Sequence, residues 1–203
     1  MGPNEYLAPF AFHRLAVDAP EAAFRLADAV IADPSMKGTL KLVFACYAKS
    51  AWYQNNYTPE MESDPDFIKY VETLFAMADE IDIHDEDDED DLARIMFQLT
   101  AIPSGPIAMA VLEYSKFYAL PFNTAVASAV NQHKALIGVL QANPTQKQLE
   151  TVHKAVEIHP VYEVVDALIE VYIGRPELAP ENGIERLEEL KRSGRGHYMS
   201  EWE

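Results

Sequence analysis

Along most of this chain apolar residues recur every three or four positions, the spacing that lines up one face of a helix. Leu40, Val43, Phe44, Tyr47, Ala48 and Ala51 share such a face, as do Phe67, Val71, Leu74, Phe75 and Ala78. Val161, Val164, Val165, Leu168, Ile169 and Tyr172 make the cleanest stripe, stopped by Gly174-Arg175-Pro176. Strand-like alternation of period two is absent. The punctuation agrees with helices. Asp18, with Glu21 three residues on, has capping-box spacing, and Asp33-Pro34, Asp64-Pro65 and Asn143-Pro144 each put a capping side chain before a proline suited to a first turn.

These signals predict helices over 4–17, 19–32, 34–56, 64–81, 88–102, 105–120, 123–142, 144–158, 160–173 and 181–193. The expected fold is therefore all-α, an irregular bundle of about 8–10 helices. A solenoid of helical hairpins is the second choice: Asp33-Pro34 and His159-Pro160 make tight joints, but no repeat period supports stacking. Residues 1–192 are expected to form a single helical domain, followed by a flexible polar tail over 193–203, "SGRGHYMSEWE".

With 203 residues, 49% of them hydrophobic, the chain can bury a core of its own. The longest uncharged run, Ile95 to Leu112, is broken by Pro103, Ser104, Gly105 and Pro106, so it reads as two buried helices and not as a membrane span. "MGPNEYLAP" lacks the basic-then-apolar pattern of a signal peptide, and cytoplasmic residence is the expectation. The single cysteine, Cys46, excludes an internal disulfide framework or an all-cysteine zinc site. It lies in an apolar helix and reads as an inert buried thiol.

Charge changes the picture more than composition does. The net charge of -17 is concentrated: residues 60–91 hold fifteen acids and one base, Lys69, a net of -14. Direct nucleic-acid binding is disfavoured because the chain has no basic stripe to neutralise phosphates, and an anionic membrane is disfavoured for the same reason. Seven consecutive carboxylates, Asp85, Glu86, Asp87, Asp88, Glu89, Asp90 and Asp91, form the densest part. Neighbouring charges about 6 Å apart in water repel by roughly 0.7 kcal/mol a pair before salt screening, so the run favours solvent or a cationic partner.

Four readings compete for the run. The first is structural: acids at the start of the helix that Leu92, Ile95, Met96 and Leu99 open are favourable there. The second is calcium, but an EF-hand loop from Asp85 needs a glycine and a glutamate where Asp90 and Met96 stand. The third is catalytic: His84-Asp85 is the adjacent pair at the core of helical metal-dependent phosphohydrolases, yet the nearest upstream histidine, His13, is 71 positions away.

The fourth reading is a docking surface for a basic protein. Glu60, Glu62, Asp64, Asp66, Glu72, Asp79, Glu80 and Asp82 lead into the run and extend that surface, with Trp52, Tyr53 and Tyr57 as neighbouring anchors or as ordinary core. The function expected is accordingly non-enzymatic: binding, and inhibition, of a basic and nucleic-acid-binding protein by a nucleic-acid mimic, with no cofactor and no metal. Two alternatives stand beside it. One is a metal-dependent helical hydrolase using His84-Asp85 or the Glu150/His153/Glu157 stripe. That stripe, like Glu163/Asp166/Glu170, is expected to face solvent opposite Leu149, Val152 and Val156. The other is a homo-oligomeric scaffold subunit burying residues 92–143, which contain only Glu113 among the acids.

Overall fold

The computed structural model describes residues 14–35, 49–82, 86–114, 116, 130 and 132–198, with side chains for all of these except 86–90. The fold is all-α; among the described residues there is no β-strand, only one isolated bridge between Val161 and His197. No described helix is long and apolar enough to cross a membrane. The chain divides into two compact units, Met1–Ile102 and Pro103–Glu203.

In the first unit residues 14–18 are helical and lead into α1 (Pro20–Ala32). α2 (Ser50–Asn56) precedes a short 3-10 helix, Pro59–Ser63, and then come α3 (Pro65–Glu80) and α4 (Glu86–Ala101). Small residues let the first helices approach: Ala16, Ala23, Ala27 and Ala51 form one buried cluster under Leu15 and Phe24. An aromatic knot follows, with Tyr53 edge-on to Phe67 at 4.9 Å and tilted against Tyr70 at 5.1 Å. The Tyr70 hydroxyl is hydrogen-bonded to Ser50 Oγ, which satisfies both buried hydroxyls. Leu74, Leu92, Ile95, Met96 and Leu99 are fully buried, each burial contributing about 1.5–3 kcal/mol.

The second unit contains α5 (Gly105–Glu113), α6 (His133–Gln141), α7 (Gln146–Ile158), α8 (Tyr162–Gly174), a 3-10 turn at Pro176–Leu178 and α9 (Gly183–Arg192). α8 is its centre, packed by α6, α7 and α9, and Val161, Val164, Val165, Leu168 and Tyr172 are buried as their spacing predicts. α5 and α6 come together at Gly105, where a Cβ would sit 2.6 Å from Val139 Cγ2 and 3.1 Å from the Ala135 carbonyl oxygen.

Several caps differ from expectation. Asp18 does not cap α1; the preceding helical turn brings Arg14 to it at 2.6 Å. Asp33 ends α1, and its carboxylate accepts from Ser35 N and Ser35 Oγ. Asn143 takes the left-handed conformation (φ 60°) that ends α6. There it accepts from Arg175 Nη1 at 2.6 Å. The cap of α7 is Thr145, in a reciprocal box with Gln148. Residues 193–198 fold back on α8: Tyr162 N donates to the His197 carbonyl at 2.9 Å, and Gly196 N to Tyr162 Oη at 3.0 Å. Residues 199–203 lie outside the described residues.

Candidate functional site

α3 separates the acidic residues into two groups. At its N-terminal end stand Glu60 and Glu62 on the 3-10 helix, then Asp64 and Asp66. Asp64 caps α3, accepting from Asp66 N at 2.7 Å and Phe67 N at 3.3 Å, so its charge sits on the positive end of the helix. Tyr57 Oη donates to Glu62, and a hydrogen bond from Thr58 holds the Glu60 carboxyl below the usual range. Asp79, Glu80 and Asp82 lie at the other end, about 24 Å along a 16-residue helix at 1.5 Å per residue. Glu72 is exposed between them, on the same side of the helix as Asp79.

The second group continues into α4. That helix begins at Glu86, two residues before the predicted start, so the backbone of Glu86, Asp87, Asp88, Glu89 and Asp90 is helical. Asp85 and His84 lie outside the described residues, as do the side chains of 86–90. Asp91 turns inward: it is 7% exposed, and Arg94 one turn on donates to it at 2.9 Å. It closes the run against the protein and does not belong to the acidic surface.

Asp64 and Asp66 of the first group border a cleft of about 520 Å³ between α1, α2 and α3. Phe24, Trp52 and Tyr53 form an aromatic wall, Trp52 meeting Phe24 edge-on at 5.5 Å and Tyr53 at 5.2 Å. Asp28, Asp64 and Asp66 stand around it with Lys49 and Lys69. Lys49 Nζ donates to Asp28 at 2.5 Å and lies 5.7 Å from the centre of the Phe24 ring, a cation held by one carboxylate and one aromatic face. Tyr53, 5% exposed, belongs to the core; burial, then Asp64, Asp66 and Asp28, push its hydroxyl up to about 12. Of the predicted anchors, Trp52 and Tyr53 both line the cleft, Trp52 being the less buried of the two, whereas Tyr57 packs on Phe67 at 6.1 Å.

No family model, characterised protein or solved structure matches this chain. Its chemistry is therefore carried by its own geometry.

The Glu150/His153/Glu157 stripe does not face solvent as a unit, and the expectation is corrected on this point. Glu150 is exposed and accepts from Gln146 at 2.8 Å, whereas His153 is 5% exposed. His153 follows Leu149 by four residues and precedes Val156 by three, which places it on the buried flank of α7. Its Nδ1 is bonded to Tyr172 Oη, its Nε2 is 3.4 Å from Glu157, and Glu157 takes Arg186 of α9. Burial lowers the His153 pKa from 6.5; Arg186 lowers it further and Glu157 opposes. Among the described residues no three potential metal ligands converge.

Of residues 92–143, Leu92, Ile95, Met96, Leu99, Ile107, Val111, Leu112, Leu136 and Leu140 are buried, and Phe97 stands out at 49% exposure. Residues 115, 117–129 and 131 of this stretch lie outside the described residues. Sequence reasoning missed the cleft because Asp28 and Lys49, 21 positions apart, carry no joint signal until α1 and α2 pack.

Proposed function

We propose that this chain is a non-enzymatic acidic protein that binds and inhibits a basic, nucleic-acid-binding protein through the surface of residues 60–90. The observation that supports it is exposure. Of the eight carboxylates from Glu60 to Asp82, seven are exposed and Glu62 is half-buried, against one base, Lys69. Exposed acids at that density attract a basic surface from a distance and raise its rate of encounter. A partner that uses the same basic surface for phosphates would lose nucleic acid on docking.

The test is a pull-down from source-cell lysate at low and high salt, with the native chain and with a variant carrying Asn or Gln at Asp79, Glu80, Asp82 and residues 85–90. The reading predicts a basic protein held by the native chain only, released by salt, whose nucleic-acid binding falls as the chain is added. Equal capture by both forms would overturn it.

A further inference from the structure

We propose that the cleft between α1, α2 and α3 is an anchor for one arginine side chain of the basic partner, its guanidinium lying against Trp52 and paired with Asp66. This rests on the docking reading above and gives it a specific seat.

Shape, charge and accessibility converge at this cleft. The cleft is a concavity in an acidic surface, walled by Phe24 and Trp52 over Tyr53, and its volume of about 520 Å³ admits a long side chain. Carboxylates outnumber cations around it: Asp28, Asp64 and Asp66 against Lys49 and Lys69. Lys49 is already committed to Asp28, and Asp64 spends one oxygen on capping α3. Asp66 is exposed in the first turn of α3, at the edge of the cleft.

The cleft also contains a working example of the chemistry. Lys49 is seated by an aromatic face and a carboxylate together, Phe24 and Asp28. Trp52 and Asp66 offer an incoming cation the same pair of groups. Asp64, Asp66 and Asp28 lie close enough to add to burial in raising the Tyr53 hydroxyl. Arginine is favoured over lysine because a planar guanidinium stacks on an indole and pairs with a carboxylate at once. Lys69, on the same side of α3 as Asp66, is the residue that competes with it.

The chain has two tryptophans, so Trp202→Phe leaves Trp52 as the sole reporter. In that background, fluorescence is titrated with N-acetyl-arginine amide, N-acetyl-lysine amide and a hexa-arginine peptide. The arginine amide is expected to give a saturable change, with the lysine amide at least about three-fold weaker. Asp66→Asn is expected to weaken the arginine amide about five-fold, and Lys69→Gln to strengthen it about two-fold. Both positions are exposed, and unchanged circular dichroism and melting would show the variants folded.

Hexa-arginine separates the two ideas. If it binds the chain but neither Asp66→Asn nor Lys69→Gln changes the Trp52 signal, the anchor is wrong and docking stands. If neither the peptide nor the amide binds at low salt, both fail. Equal responses to the arginine and lysine amides would also overturn the anchor as an arginine site.

Discussion

His153 on α7 and Tyr172 on α8 are bonded to each other inside the second unit, Nδ1 to Oη at 3.1 Å, with both side chains buried. The imidazole is kept neutral by burial, so an unfolded chain, in which it titrates near 6.5, binds a proton that the folded chain resists. Stability from this group is therefore present above about pH 6.5 and is lost as pH falls toward the folded value. His159, lowered by burial and by His197, acts with the same sign. Urea unfolding at about pH 7.5 and about pH 5.5 should show a lower midpoint at the acid end, and His153→Gln should lose less between the two.

Tyr172→Phe removes the hydroxyl and leaves a buried ring nitrogen without that partner. It should cost about 1–2 kcal/mol, read as a lower urea midpoint with an unchanged slope.

Asp64 serves α3 as well as the acidic surface. Asp64→Ala should destabilise the protein by about 1 kcal/mol through the lost cap, while Asp66→Asn, in the first turn and exposed, should change stability by less than about 0.5 kcal/mol. Thermal melts of the two variants side by side check the distinction.

The closeness of α5 and α6 depends on a missing Cβ. Gly105→Ala should cost about 1–3 kcal/mol, because the new methyl meets Val139 Cγ2 and the Ala135 carbonyl. Adding Val139→Ala should recover only part of the loss, since the carbonyl cannot withdraw as a side chain can. Chemical denaturation of the single and double variants measures both.

Docking through exposed carboxylates should weaken with salt. Raising ionic strength from about 0.05 M to about 0.5 M shortens the screening length from over 10 Å to under 5 Å. Hexa-arginine affinity should fall by at least about ten-fold over that range. A variant with amides at Asp79, Glu80 and Asp82 should show a smaller fall, measured by titration calorimetry.

What could be read in advance follows from range along the chain. The α8 stripe was legible because every position that enters the core is set by neighbours three and four residues away. The α7 cap was misassigned: Asn143-Pro144 offered the expected signal, but Asn143 ends α6 and Thr145, in a box with Gln148, caps the helix instead. His153 was misplaced because Glu150 and Glu157 suggested a polar stripe, and only the arrival of α8 gives the imidazole its buried partner, Tyr172. The acidic surface shows the same limit. Composition locates the charge, but the 16-residue span of α3 splits it into two groups, and the Arg94 pairing withdraws Asp91. The cleft depends on residues from three helices and has no local signature.

The helical start of α4 has a consequence beyond shape. Wound as a helix, the five acids Glu86 to Asp90 follow one another at about 1.5 Å of axis per charge, close to the roughly 1.7 Å per charge of duplex DNA. The resemblance stops at length: the five positions span only about 6 Å of axis, less than one Debye length, so a partner would meet them as one concentrated source of charge and not as a line.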